Sequence, residues 1–405
     1  MDIPARTYDL TGQQFKRNPF PTFECMRAEG PAVRVPIPLL GPVTMMTTHV
    51  ACTELLKSPE RFVVDLRKTG KGNILQLLYW SKTIRVLGQS MLAQDDPQHR
   101  RLRQFADQTF HARSMDIYRD RIVRTTNRLL DRWAAGGYGD FVDSVARRLP
   151  LIVICDILGM PEDDQEEFIS WMAPVSEVRS AASIFTMIPL MRRIVCYLQQ
   201  RIAHARARSA PHLISALVHA SKDGDQLGDD ELVAMIFLLF AAGHETTTHM
   251  ISGAVLTMLQ HPEQLEALCA DWTRAPIAVE ELLRYVSAVQ MTKPRFALQD
   301  TRLAGVDITK GQMCMALLAS ANTDPDHFNR PHVLDLQRQK NRHLAFGGGP
   351  HSCLGMHLAR LEMQVVLEQV FTRYPGLRLA TAAANLRWTG RGGIRALRAL
   401  PLKPA

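Results

Sequence analysis

The stretch HLAFGGGPHSCLG, residues 343–355, sets three consecutive glycines, a proline and a histidine ahead of Cys353. A thiolate stays ionised only beside positive charge or backbone N–H donors, and glycines let a chain curl until such N–H groups face the sulfur. The residues from Cys353 to Pro375 carry apolar side chains at helical spacing, which reads Cys353 as the N-terminus of a helix, where an anion is favoured. The segment is built to hold a thiolate.

Working outward, DDELVAMIFLLFAAGHETTTHMISGAVLTMLQHP (229–262) has Asp229 or Asp230 as N-cap and Pro262 as stop, and predicts one helix of about thirty residues. TRAPIAVEELLRYVS (273–287), with Pro276 in a first-turn position, predicts another. Between that helix and the cysteine loop, KPRFALQD, TRLAGVDI and GQMCMALLA alternate in short runs broken by Gly305 and Gly311, as strands of a small sheet do. The reading is a mainly α protein with a minor β region, and no repeat or linker divides residues 1–405 into separate domains.

The composition, 46% hydrophobic and 22% charged, is that of a globular enzyme. No apolar run approaches the ~18 residues of a membrane span, and the start MDIPARTYDL lacks the regions of a signal peptide. The protein is expected in the cytoplasm, off the membrane. Seven cysteines without CxxC spacing exclude a disulfide framework or zinc cluster. The formal charge of +8 is dispersed, without the basic blocks of a nucleic-acid binder, and leaves room for a basic patch that docks an acidic protein.

Three further patterns carry chemistry. AAGHETTT (241–248) places a glycine, a glutamate and three threonines inside an apolar helix, a costly choice that a chemical role explains. EELLR sets Glu281 and Arg284 three apart on one helix face, at ion-pair spacing. DDPQHRRLRQFADQTF (95–110) sets His99 and Arg103 at i and i+4, two donors for one anion.

FGGGPHSCLG resembles the heme-ligand loop of the cytochrome P450 family: Phe, two residues, Gly, one residue, Arg or His, one residue, Cys, one residue, Gly. Phe346, Gly349, His351, Cys353 and Gly355 fill every defined position. AAGHETTT is similar to the family's oxygen-activating signature, and the resemblance runs in order over nearly the whole chain. It implies a P450-like fold, a large helical domain with a smaller β-rich region, and heme b between the long central helix and the cysteine loop. Cys353 is then the axial iron ligand, with Phe346, Gly347 and Gly355 shaping its loop. Ala242 and Gly243 leave space for O2, and Glu245 with Thr246 relays protons. His99, Arg103, Arg295 and His351 serve the heme propionates. Glu281 and Arg284 become a buried structural pair behind the loop, with Arg338 as a third member. Two departures, Thr323 where many relatives carry Arg and Leu334 where Phe is common, lie in packing segments.

The resemblance implies a monooxygenase of soluble bacterial type that inserts one oxygen atom from O2 into a hydrophobic small organic substrate. The chain has no flavin or iron–sulfur motif, so electrons from NAD(P)H are expected through a ferredoxin and its reductase. Arg100, Arg101 and Arg113 are the candidate basic face for an acidic ferredoxin. Alternatives are a peroxide-driven peroxygenase, whose family members lack the acid–alcohol pair, and a non-catalytic heme-thiolate sensor. For the pocket, the resemblance points to residues 72–92, with Ile74, Leu78, Tyr79 and Trp80, and to Leu239, Ala242, Val289 and Ile394. Lys68, Lys71 and Lys82 are weaker candidates for meeting a substrate carboxylate. A monomer is the family default.

Overall fold

The structure, a computed structural model, describes residues 7–37, 41–70, 81–110, 115–172, 174, 181–222 and 224–404. Ile74, Leu78, Tyr79, Trp80, Lys71 and Arg113 lie outside the described residues. The chain forms two compact units: one of Gly72–Thr125 and Arg147–Glu245, the other of Met1–Lys71, Thr126–Ala146 and Thr246–Ala405.

The first of these is built from helices. Its segment Arg148–Leu158, RLPLIVICDIL, buries nearly every side chain, as a helix apolar all round must. It stops at Gly159 (φ 77°), where a Cβ would lie 2.2 Å from the His212 ring, so glycine is required twice over. Phe168 of the helix Glu162–Met172 meets Phe240 of the long helix edge to face at 4.8 Å. On the helix Gln98–Thr109, Arg101 clamps Asp225 and Glu231.

The long helix runs from Asp229 to Gln260. Its cap lies one residue earlier than the sequence reading placed it: the Glu231 carboxylate accepts the Gly228 N–H at 3.0 Å, satisfying a donor that the helix leaves open. Asp229, Asp230 and Glu231 all sit in the first turn and favour its positive end. The division between the units falls between Glu245 and Thr246.

In the second unit a five-stranded sheet runs in the order Ala32–Ile37, Gly41–Met46, Met313–Ala316, Arg295–Ala297, Phe62–Val63. The 41–46 and 313–316 strands are parallel, with Met45 opposite Met315, and the other pairs are antiparallel. Alternate residues feed two cores. Met46, Cys314 and Ala316 join Leu55 and Phe62, while Val43, Met45 and Met315 join Phe23 and Met26. The run TRLAGVDI is not one strand. It reverses at Ala304 and Gly305, both at positive φ, into a hairpin of Thr301–Leu303 with Val306–Ile308.

The helix Ala275–Val286 carries Glu281 and Arg284, both with no exposed surface. Arg284 grips the carboxylate with Nε at 2.8 Å and Nη2 at 2.7 Å, and donates from Nη1 to the carbonyls of Asn322 and Pro331. Glu281 also accepts from Arg338 Nε, Asn341 Nδ2 and the Asp335 N–H. Two guanidiniums and two further donors compensate one desolvated charge. At the departures from the family pattern, Thr323 accepts from Arg27 and Leu334 is buried. Removing one partner strands the other: Arg284→Ala is expected to lower stability by about 3–5 kcal/mol, read as a fall in the denaturant midpoint. Arg284→Lys should recover only part, because an ammonium has no planar fork.

Candidate functional site

The cysteine loop is closed by its own backbone. Cys353 N–H donates to the Phe346 carbonyl at 2.9 Å, Gly347 N–H to Leu344 at 2.8 Å, and Ser352 N–H to Gly349 at 3.1 Å. Gly347 and Gly349 hold φ of 68° and 67°. At Gly349 a Cβ would also stand 2.0 Å from the Leu56 carbonyl oxygen, so this position admits only glycine. The helix that follows is Met356–Arg373, capped at Gly355, so Cys353 lies just ahead of it rather than within it.

Burial separates Cys353 from the other cysteines. Cys52, Cys155 and Cys314 are buried, and burial pushes their thiols upward, Cys314 to about 12, so they stay neutral. Cys25, Cys196 and Cys269 are exposed, whereas Cys353 is half-buried.

Under the loop lies a network that the sequence reading missed. Arg360, from the following helix, stacks its guanidinium 4.6 Å from the Phe346 ring centre and grips Glu280 at 2.6 and 2.9 Å. His343 Nε2 lies 3.1 Å from the same carboxylate, and its Nδ1 accepts the Ala345 N–H. Nε2 therefore carries the proton. Burial works against the Glu280 charge, but the bonds from His343 and Arg360 outweigh it and hold the carboxyl at about 2. Glu280 and Glu281, adjacent in EELLR, thus serve two different clusters. The histidine at the head of HLAF and the arginine seven residues after Cys353 were the available signal.

Within the same unit, Arg295 is buried on its strand opposite Cys314, and His351 is half-buried in the turn Gly349–His351. Val289 and Ile394 face each other in an isolated β-bridge, both half-buried. Thr246 is half-buried on the long helix.

In the helical unit, His99 is buried and Arg103 half-buried on one face of their helix. Burial lowers the His99 pKa, against the pull of Asp96, so the ring is a neutral N–H donor near pH 7. Arg103 Nε also bonds Asp107 at 2.8 Å. Leu239 is buried, but Ala242 is exposed in the middle of an otherwise apolar helix. A Cβ added at Gly243 would meet nothing within 4 Å, and Glu245 is half-buried. The helix thus presents an open step of small residues, with Thr246 one turn further along the same face. Arg101 is not available as a docking residue, since Asp225 and Glu231 neutralise it internally. Arg100 bonds Asp96 at 2.8 Å.

A half-buried cysteine in a glycine-curled loop, with open space beside Gly347 and Gly355, suits a flat thiolate-ligated group. Among the described residues no cluster of three His, Cys, Asp or Glu could hold a metal ion. No helix among the described residues is long and apolar enough to cross a membrane. The fold and the loop define a heme-thiolate protein. The profile described as Cytochrome P450 matches residues 42–276 and 275–376, and the chain belongs to the cytochrome P450 family, as a monooxygenase similar to bacterial members.

It is 34% identical over 394 residues to the polyketide biosynthesis cytochrome P450 PksS of Bacillus subtilis, covering 96% of this chain and 97% of that one. The solved structure of PksS superposes with a TM-score of 0.90, over 98% and 100% of the two chains. The cytochrome P450 monooxygenase PikC of Streptomyces venezuelae is 35% identical over 99% of this chain and 94% of its own. P450BioI, solved with a hexadec-9Z-enoic acid ligated acyl carrier protein, aligns with a TM-score of 0.87 and 33% identity over 97% and 100%.

Because Glu280 is held at about 2 against an ordinary 4.5, its contribution to stability is present above pH 4.5 and is lost as the pH falls from there toward 2. Arg360→Leu should raise the Glu280 pKa and move acid unfolding, followed by circular dichroism, to higher pH.

Proposed function

We propose that the chain is a cytoplasmic, monomeric monooxygenase acting as a single catalytic domain on a hydrophobic organic substrate, with NAD(P)H electrons delivered through a ferredoxin and its reductase. The observation that carries the reading is the closed Phe346–Cys353 loop holding a half-buried cysteine ahead of a helix. Heme held by Cys353 supplies the activation of O2 and the insertion of an oxygen atom into the substrate.

The protein's own residues do the rest. The N-terminus of the following helix favours Cys353 as thiolate, while the Phe346 ring, fixed by Arg360, shields the sulfur from water. Arg103, Arg295 and the imidazoles of His99 and His351 hold the two propionates. Ala242 and Gly243 keep the oxygen side open. Thr246 Oγ1 donates a proton there, and the Glu245 carboxyl replenishes it. This acid–alcohol pair favours O2 over peroxide as oxidant. Leu239 in one unit and Val289 with Ile394 in the other are the proposed apolar contacts for the substrate. The likeness to a cytochrome P450 of polyketide biosynthesis and to one solved with an acyl-loaded carrier protein supports a long apolar substrate.

In the dithionite-reduced, CO-bound protein the Soret band is expected to be strongly red-shifted, and in Cys353→His that shift should vanish. A native protein without the shift overturns the ligand assignment. With a surrogate ferredoxin system, Thr246→Ala should lower product per NADH consumed by roughly tenfold or more, with hydrogen peroxide released in its place. Product formation at the native ratio would remove Thr246 from the relay.

A further inference from the structure

In the sheet-bearing unit a cavity of about 250 Å³ opens beside Arg17, Phe20, Tyr285, His332, Trp388 and Arg395. That is room for several waters at ~30 Å³ each. No Asp or Glu lines it. The cations around it are paired with neutral oxygens alone. Arg395 donates to the carbonyls of Lys16 (2.7 Å) and Arg17 (2.9 Å), and Arg17 to that of Ala384 (2.7 Å). The buried Lys16 Nζ donates to Gln290 Oε1 and the Ile394 carbonyl.

Among the described residues none of the three has a carboxylate partner. Asp9, the acid whose field reaches Lys16, accepts the N–H groups of Thr11 and Gly12 instead. Glu24 pairs with the far nitrogen of His332, Nε2. Burial lowers Arg395 to about 10, and burial with the neighbouring Arg395 charge lowers Lys16 to about 7, the signature of cations lacking counter-charge. Donors are also in excess. The Trp388 Nε1–H is buried without a partner among the described residues.

We propose that this cavity binds the carboxylate of a small organic acid, clamped by Arg395 and Arg17, with its apolar body against the rings of Phe20, Tyr285 and Trp388. The guanidinium fork suits a planar carboxylate, and Trp388 already stacks 4.7 Å from the Arg395 guanidinium carbon, which fixes the fork's plane. Aromatic walls favour an acid with an apolar body over an inorganic ion. The site is independent of the cysteine loop.

The test is calorimetric titration of the heme-loaded protein with sodium benzoate at fixed ionic strength, with benzyl alcohol and inorganic phosphate as comparison probes. Benzoate is expected to bind one site per chain without moving the Soret band, and benzyl alcohol should not bind. Arg395→Lys should weaken benzoate tenfold or more. Since Arg395 also holds backbone carbonyls, the exposed Arg17→Gln serves as the second variant, with the same expected loss. Absence of saturable benzoate binding overturns the proposal, as does binding indifferent to Arg17→Gln. Binding that tracks a Soret shift places the acid at the heme and overturns it too. Phosphate binding tighter than benzoate overturns the organic-acid assignment.

Discussion

The carboxylate of Glu281 is the constraint on which the sheet-bearing unit is organised. A buried charge is tolerated only where donors surround it, and here they come from its own helix through Arg284 and from the segment 335–341 through Asp335, Arg338 and Asn341. Arg284 extends the reach to the carbonyls of Asn322 and Pro331. An irregular stretch is thereby held in one conformation. Asn322 carries the order onward: its Nδ2 bonds Ser287 and its Oδ1 accepts the Leu344 N–H, at the foot of the cysteine loop.

The neighbouring Glu280 sustains the loop from the other side. Through Arg360 it fixes the Phe346 ring, and through His343 the turn that leads into the glycines. Consecutive carboxylates on one helix thus fasten two successive pieces of chain. The loop that carries the cysteine is thus held by Glu280, Arg360 and His343, as outer groups hold a ligand segment.

What was legible in the sequence was local. Residues three apart on a helix must meet, so the Glu281–Arg284 contact is written in EELLR, and glycines at 347 and 349 announce a backbone that other residues refuse. The long helix was legible from its apolar pattern, though its cap was not, because Gly228 has no side chain to advertise the role and Glu231 caps from within. Glu280 was passed over because its partners lie far along the chain, and only the folded structure decides which of two adjacent glutamates faces which cluster. The same holds for Arg101, basic by sequence yet neutralised by two acids from another segment. The break in TRLAGVDI was legible at Gly305, whereas the positive φ of Ala304 beside it was not.

The sheet closes by setting residues 44–46 parallel to 314–316, and Gly349 rests against the carbonyl of Leu56. Both contacts join the beginning of the chain to its far end, and loop closure over such separations precedes any gain from the contacts themselves. During synthesis the strand at residues 41–46 therefore waits with an edge exposed until residues 314–316 have emerged. The cysteine loop rests at Gly349 against the early segment at Leu56, so its shape depends on a stretch of chain made long before it.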